Sequence, residues 1–292
     1  MDGILIINKP KGRTSHDIVS KVKRIVGNKV GHTGTLDPNA TGVLPLLIGK
    51  GTLCSQYLME HDKIYEVVLK LGIKTDTADS EGNILEEQQV SETSLNENNI
   101  LNVLRSFIGK QEQIPPMYSA IKVNGKKLYE YARKGQNVEI KPRQIEIFKC
   151  ELRKVDLEEK EICFSVHCTK GTYIRSLCED IAKKLNTVGY MKELNRIKVG
   201  KFDINKSITV EELENNISNE SFTKEHFISI EKAFEDKESI VIPLNRLKHF
   251  LNGVKLSFEL EDNLYKIYDE KNNFIGIGSV KNNLLKREII LD

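Results

Sequence analysis

Apolar runs and helical repeats alternate along the first part of the chain. The run ILII ends just before Pro10, which predicts a short buried strand. In the next segment apolar residues recur every three or four positions, which predicts a helix. Thr14 or Ser15 would cap the start of this helix, and Gly27 would end it. The apolar segment VLPLLIG further on predicts a second buried strand.

The segment KIYEVVLKLG predicts a strand. Ile64, Glu66 and Val68 would lie on one face, and Tyr65, Val67 and Leu69 would lie on the other. The segment LKLGIKTDTADSEGNIL then predicts strand, turn and strand. LNENNILNVLRSFIG has the pattern of an amphipathic helix.

The segment ICFSVHC predicts a strand that continues through KGTYIR into a helix with a single apolar stripe. Arg175 falls in the first turn of this helix, where the helix dipole disfavours a cation. Such a break of a local rule indicates either a functional site or an arginine whose head group reaches solvent.

The last segment predicts a small second domain. From Ser239 onward, IVIPLNRL, VKLSFEL, LYKIYDE and FIGIGSV have the pattern of short strands separated by polar turns. Together they predict a β-rich domain of about 55 residues, a size at which such domains can fold.

The composition is that of a globular protein in a reducing compartment. Of the 292 residues, 39% are hydrophobic and 29% are charged, which is enough to build a core. The N-terminus has neither a signal peptide nor a membrane-anchor pattern, so we expect a cytoplasmic protein. The five cysteines include no CxxC pair, so we expect buried thiols and no metal site.

Basic residues are concentrated in two patches, although the net charge is only +2. Seven Lys or Arg residues lie between Lys9 and Lys29, and seven lie between Lys122 and Arg143. The second patch is interleaved with Tyr118, Tyr129 and Tyr131, a combination that can hold a phosphate backbone and stack bases. The patches therefore suggest a polyanionic partner, although either one alone could be a solvated surface.

The segment GHTGTLDPNATGVLPLLIGKGT contains a single carboxylate, Asp37. Its glycines do not have the spacing of a phosphate-binding loop. The pairs His16-Asp17 and His61-Asp62 suggest a metal-dependent phosphohydrolase, but the other histidines form no ligand-spaced cluster. Taken alone, Leu-Asp-Pro is ordinary turn chemistry.

Several motifs, taken in order, resemble the TruB family of tRNA pseudouridine synthases. The resemblance covers nearly the whole chain, and it is specific because the long motifs follow one another in the family's order. These motifs are KPKGRTSHDIV, GHTGTLDPNATGVLPLLIG, KIYEVVLKLGIKTDTADSEG, QIPPMYSAIKVNGKKLYEYARKG, HCTKGTYIRSL and NFIGIGSV.

The resemblance implies an α+β fold with two domains. Residues 1–225 would form the catalytic domain on a mixed, largely antiparallel sheet, with an RNA-clasping insertion at about residues 113–143. Residues 236–292 would form a PUA-like domain that contacts the acceptor-stem side of the RNA. The implied reaction converts uridine 55 in the TΨC loop of tRNA to pseudouridine. It would need no cofactor and no metal, and the protein would act as a monomer.

The resemblance also implies roles for individual residues. Asp37 would be the nucleophile, attacking either the ribose C1′ or the uracil C6, and Arg175 would orient it. Tyr65 would stack on the flipped uracil and is a candidate for proton transfer at C5. Tyr173 and Leu194 would line the uracil pocket.

His32 would fill the space that the flipped base leaves among the bases of the RNA loop. An alternative is a non-catalytic RNA-binding module. That alternative explains the basic patches, but it does not explain Asp37, Tyr65 and Arg175 in matching motifs.

Overall fold

A computed structural model describes residues 2–59, 61–136 and 138–291. The helices are α1 (Ser15–Val26), α2 (Ser55–Leu58), α3 (Glu97–Arg105), α4 (Leu128–Ala132), α5 (Ile174–Lys184), α6 (Val210–Asn216), α7 (Glu220–His226), α8 (Ile230–Ala233) and α9 (Leu244–Leu251), with short 3-10 helices at Gly49–Cys54 and Ile204–Lys206. Within these ranges, no helix has both the length and the apolar character needed to cross a bilayer.

The strands belong to two main sheets and two short hairpins. They are β1 (Gly3–Lys9), β2 (Val30–His32), β3 (Thr41–Ile48), β4 (Lys63–Leu71), β5 (Ile73–Thr75), β6 (Ile84–Glu87), β7 (Gly109–Gln113), β8 (Lys122–Val123), β9 (Lys126–Lys127), β10 (Arg143–Asp156), β11 (Glu161–Cys168), β12 (Gly189–Val199), β13 (Phe202–Asp203), β14 (Phe227–Ile228), β15 (Ser239–Ile242), β16 (Leu256–Ser257), β17 (Asn263–Asp269), β18 (Phe274–Lys281) and β19 (Leu284–Ile290).

The large sheet has the order β14-β1-β3-β12-β4-β11-β10-β7, with β2 paired to β3 and β13 paired to β12. Among the described residues its strand pairings are antiparallel except that between β3 and β12, where Thr41 lies opposite Asn195. The expected α+β fold with a mixed, largely antiparallel sheet is therefore confirmed. The central position of β3, β12 and β4 makes the segments at their ends neighbours in space.

The predicted helix limits and strand faces are also observed. Thr14 and Asp17 form a capping box at the start of α1, and Gly27 ends the helix in the left-handed conformation. On β4, Tyr65 and the alternate residues after it are buried against α3 and α5. The apolar strands β1 and β3 are covered on both faces, by α1 and α6 on one side and by the smaller sheet on the other.

The smaller sheet has the order β15-β17-β18-β19-β16. One detail of its prediction was wrong, because IVIPLNRL is not a single strand: β15 ends before Pro243, and Leu244–Leu251 is helical. Apolar residues in LNRLKHFL recur at helical spacing, and a proline just before them suits a helix start. VKLSFEL contributes only the two residues of β16, and β19 was not predicted.

The parallel contact between β3 and β12 depends on Gly42. Its φ is +102°, and a Cβ at this position would overlap the backbone carbonyl of Arg196. No described heavy atom lies within 4 Å of a Cβ built at Gly27, which also has positive φ at +63°. Substitutions at these two glycines therefore distinguish the cost of backbone strain alone from the cost of strain combined with steric overlap.

We expect Gly42→Ala to lower the free energy of unfolding by about 2–5 kcal/mol, the sum of left-handed strain and overpacking. Gly27→Ala, which adds strain without overlap, should cost about 1 kcal/mol. Urea unfolding of the two variants and the parent tests this difference. Equal losses in both variants would contradict the close approach of β3 and β12.

Candidate active site

Five of the six predicted site residues line one cavity of about 620 Å³. They come from distant parts of the chain: a loop, two strands, and the start of a helix. These residues are Asp37, Tyr65, Tyr173, Arg175 and Leu194. The structure therefore brings together residues that the sequence singled out in separate motifs.

Asp37 lies on the loop between β2 and β3, at the first position of a turn in which the Ala40 amide donates to the Asp37 carbonyl at 3.1 Å. The turn chemistry expected of Leu-Asp-Pro is thus present. Leu36 is buried, and Ser15 of α1 fixes its backbone: Ser15 Oγ donates to the Leu36 carbonyl at 3.1 Å and accepts from the Leu36 amide at 2.9 Å. The loop is therefore anchored immediately before Asp37.

Lys9 anchors the loop immediately after Asp37. Its Nζ donates to the carbonyl oxygens of Pro10 at 2.9 Å, Arg13 at 2.6 Å and Pro38 at 2.9 Å. Burial lowers the pKa of Lys9 to about 8, and Asp37 opposes that shift. Because Lys9 is fully buried, it does not belong to the surface patch with which the sequence grouped it.

Arg175 holds the Asp37 carboxylate with two nitrogens. Its Nε lies 3.0 Å from Asp37 Oδ2, and its Nη2 donates to Oδ1 at 3.4 Å. The guanidinium also donates to the carbonyls of Thr77 at 3.3 Å and Tyr118 at 3.0 Å, and Asp79 Oδ2 lies 3.7 Å from Nη1. Its side chain is 7% exposed, so the alternative in which Arg175 reaches solvent is wrong. A fork geometry of this kind fixes the orientation of a carboxylate.

Burial raises the pKa of the Asp37 carboxyl above its ordinary value of 3.8. The charge of Arg175 opposes the rise, and the nearby Asp79 adds to it. The Asp37 side chain is 37% exposed, so its carboxylate is only partly shielded from water, and the charge of Arg175 favours the ionised form.

Arg196, which the sequence analysis missed, ties the Asp37 loop to Tyr65. It is 2% exposed, and its Nε donates to the Val43 carbonyl at 2.8 Å. Its other nitrogens donate to the carbonyls of Gly34 at 3.0 Å and Thr35 at 3.4 Å. Arg196 also lies opposite Tyr65 in the register of β12 and β4 and interacts electrostatically with its side chain. One buried cation thus holds the loop on both sides of Asp37 and lies beside the tyrosine.

Tyr65, Tyr173 and Leu194 form the walls beside the carboxylate. Tyr65 is 7% exposed, and burial raises the pKa of its hydroxyl to about 12, so it is a neutral phenol at pH 7. Leu194 is equally buried. Tyr173 stands at the start of α5, where Gln113 accepts from its amide at 2.8 Å and donates to its carbonyl at 3.0 Å. A flat group that enters the cavity would meet two aromatic rings and an aliphatic side chain.

The segment predicted as an insertion closes another side of the cavity. Tyr118, Ser119 and Tyr129 line the cavity, and the Tyr118 carbonyl accepts a hydrogen bond from Arg175. Lys127 Nζ and the Arg133 guanidinium each lie 5.4 Å from the centre of the Tyr129 ring. The expected pairing of cations with tyrosines is therefore observed, and it lies at the cavity.

His32 is placed differently from the other five residues. It lies at the end of β2 and is not among the described residues that line the cavity. Its Nδ1 accepts from the Gly34 amide at 3.2 Å. Burial, followed by Arg196 and His16, lowers the pKa of His32, so its imidazole is neutral at pH 7 with the proton on Nε2.

The two His-Asp pairs have structural contacts that weaken the phosphohydrolase alternative. Asp17 caps α1 through Thr14, and Asp62 is paired with His167. In the described ranges, no three His, Cys, Asp or Glu side chains are arranged to hold a metal ion.

Four residues of the site went unnoticed in the sequence, namely Lys9, Lys63, Asp79 and Arg196. Lys9 was grouped with a basic patch, and Asp79 fell in a segment predicted as strand, turn and strand. Lys63 and Arg196 lie on strands next to Tyr65 and Leu194, and the alternation of those strands places them on the buried face. A charged residue at an inward position of an alternating strand was the available signal.

The sequence matches two family descriptions. Residues 22–174, more than half of the chain, match "TruB family pseudouridylate synthase (N terminal domain)". Residues 175–246 match "tRNA pseudouridylate synthase B C-terminal domain". The cavity described above draws on both matched regions.

Known proteins are similar to this chain over nearly their whole length. The tRNA pseudouridine synthase B of Clostridium kluyveri is 45% identical over 288 residues, 96% of each chain. The protein of the same name from Caldanaerobacter subterraneus subsp. tengcongensis is 44% identical over 95% of each chain. In a crystal structure of a Cbf5-Nop10-Gar1 complex, one chain shares the fold, with a TM-score of 0.72 at 24% identity over 99% of this chain and 84% of that one.

The fold and the site thus define a pseudouridylate synthase. The chain belongs to the TruB family, since the family description covers more than half of it and the relatives are about 45% identical from end to end.

The pairing of Asp37 with Arg175 predicts a specific pH dependence. Arg175→Gln removes the charge that keeps the pKa of Asp37 down, so the acid limb of the pH–rate profile should move to higher pH. The maximal rate should fall about 10²–10³-fold, as when a preorganised charged contact is lost. Arg175→Lys retains the charge without the fork, so its acid limb should stay closer to that of the parent while its rate is still reduced. If the acid limb of the pH–rate profile stayed at the parental pH in both variants, the pairing of Asp37 with Arg175 would be contradicted.

Proposed function

We propose that the protein isomerises uridine to pseudouridine at position 55 in the TΨC loop of tRNA. The observation that carries this proposal is the Asp37 carboxylate, held by Arg175 in a cavity walled by Tyr65, Tyr173 and Leu194. The similar proteins named tRNA pseudouridine synthase B support tRNA as the substrate. Only a base turned out of its stack can enter such a cavity.

The carboxylate supplies nucleophilic catalysis without a cofactor. In one route, Asp37 Oδ bonds to C1′ while the C1′–N1 bond breaks and its electron pair stays on uracil. The ring turns, C5 bonds to C1′, and the C1′–Oδ pair returns to Asp37. The proton on C5 is then lost, and N1 gains a proton. In the other route, Asp37 Oδ bonds to C6 and the C5–C6 π pair moves toward O4. The C1′–N1 bond then breaks with its pair on N1, the ring turns, and the C5 enolate pair forms the C5–C1′ bond. Loss of the C5 proton restores the C5–C6 double bond while the C6–Oδ pair returns to Asp37, and N1 gains a proton.

The remaining predicted residues bind and orient the RNA in this proposal. Tyr65 stacks on the flipped uracil, and its hydroxyl is a candidate for transfer of the C5 proton. Tyr173 and Leu194 enclose the ring. The half-buried, neutral His32 fills the space that the base leaves in the RNA loop, which offsets part of the few kcal/mol of unstacking.

We further propose that residues 1–225 act as the catalytic domain and residues 236–292 as a PUA-like RNA-binding domain. The insertion at 113–143 would clasp the T-arm, since its tyrosines and cations meet at the cavity. The protein would act as a monomer in the cytoplasm, where tRNA is found. A non-catalytic RNA-binding module would not need a carboxylate paired with a buried guanidinium in this cavity.

We expect Asp37→Asn to fold and to bind tRNA with nearly the parental affinity but to form no pseudouridine, because an amide is not a nucleophile of this kind. Glu87→Gln, which alters an exposed carboxyl on β6, is the matched control and should have full activity. The test incubates each protein with unmodified tRNA, without metal or nucleotide, and maps pseudouridine at single-base resolution.

Absence of product with the parent protein would refute the proposed reaction. Product at another uridine alone would refute the position. Normal turnover by Asp37→Asn, after mass spectrometry has excluded deamidation, would refute the role of Asp37.

A further inference from the structure

Two buried cations flank Tyr65 in the cavity wall. Lys63 lies two residues before Tyr65 on β4 and therefore on the same face of the strand, and Arg196 of β12 is paired with Tyr65. Lys63 is 7% exposed and Arg196 is 2% exposed, yet both line the cavity. They belong to its inner wall and not to the protein surface.

Neither cation has an acidic partner, unlike Arg175. Within the described part of the chain, no carboxylate oxygen lies within 4.0 Å of the side-chain nitrogens of Lys63 or Arg196. Lys63 Nζ donates to the His61 carbonyl, and the Arg196 guanidinium donates to the carbonyls of Gly34, Thr35 and Val43. Burial, followed by the neighbouring charge of Arg196, lowers the pKa of Lys63 to about 8. The charge of Asp62 raises the pKa of Lys63, although the two form no ion pair. Two buried like charges that form no ion pair with a described carboxylate are costly, so their presence in a cavity points to an anionic occupant.

The proposed reaction, on which this inference depends, creates such an anion. When the C1′–N1 bond breaks, its electron pair spreads over N1, O2 and O4 of uracil. If Asp37 attacks C6 instead, the displaced π pair moves toward O4. On both routes the ring is negatively charged before C5 is joined to C1′. In the first route that charge is neutralised when C5 bonds to C1′ and the C1′–Oδ pair returns to Asp37, and the later move of a proton from C5 to N1 leaves the ring neutral.

We propose that Lys63 and Arg196 form a cationic wall beside the flipped uracil and stabilise the negative charge that the ring carries between bond cleavage and reattachment. Arg196 also positions the Asp37 loop, whereas Lys63 makes, among the described residues, one hydrogen bond, with the His61 carbonyl. Replacing Lys63 therefore tests the role of the positive charge with the least disturbance of the surrounding structure. A phosphate is a poorer fit to this wall, because the ribose separates the phosphate from the base and keeps it near the cavity mouth.

The test compares Lys63→Gln with Lys198→Gln. Both remove one positive charge, but Lys198 is partly exposed on β12 opposite Ile64, on the other face of the sheet. The single-turnover rate is measured with the full-length protein in saturating excess over unmodified tRNA. The Kd for tRNA is measured at several salt concentrations, and stability is measured by urea unfolding.

For Lys63→Gln we expect a single-turnover rate at least about tenfold lower, as when a preorganised electrostatic contact to developing charge is removed. Its Kd should change by less than about twofold with an unchanged salt slope, because no phosphate contact is lost. Its stability should be equal or higher, because an unpaired buried charge has been removed. Lys198→Gln should keep the parental rate.

Three outcomes would overturn this role. An unchanged rate in Lys63→Gln would show that the charge is not used. A weaker Kd with a salt slope reduced by about 1, at an unchanged saturating rate, would make Lys63 a phosphate contact. Loss of stability or failure to fold would make it structural. Absence of pseudouridine with the parent protein would instead refute the proposed function itself.

Discussion

The site depends on keeping the Asp37 carboxylate ionised where burial raises its pKa. A partly buried carboxylate is favoured in its ionised form by a neighbouring positive charge whose own hydrogen bonds are satisfied. Arg175 meets that requirement, since it binds Asp37 with two nitrogens while Asp79 and the carbonyls of Thr77 and Tyr118 take its other donors. The ion pair therefore connects the Asp37 loop, the start of α5 and the insertion.

The sheet order makes this connection possible. The strands β3, β12 and β4 are neighbours at its centre, so the loop before β3, Arg196 and Leu194 on β12, and Tyr65 on β4 meet at one place. Gly42 lets β3 approach β12 closely enough for these residues to lie around one cavity. Buried lysine and arginine donors then fix the loop backbone on both sides of the carboxylate. The positive charge that remains beside Tyr65 suits a reaction that makes its substrate transiently anionic.

Much of this architecture follows from local patterns, and the rest does not. The two faces predicted for KIYEVVLKLG grouped Tyr65 with Val67 and Leu69, Thr14 or Ser15 was expected to start α1, and long motifs pointed to Asp37 and Arg175. The helix at Leu244–Leu251 was missed because its residues follow a strand directly and the helical period was overlooked. Lys9 and Arg196 were missed because burial of a charge depends on carbonyls from other segments, such as Pro38 and Gly34, which no local pattern brings together.

The central claim is that Asp37 is ionised at neutral pH although its pKa is raised. It is tested most directly by carbon-13 NMR of the aspartate side-chain carboxyls over a pH series, with the Asp37 signal assigned by its loss in the asparagine variant. The account predicts a titration midpoint above 3.8 and a fully ionised carboxylate at pH 7. A midpoint at or below 3.8, or a protonated Asp37 at pH 7, would contradict it.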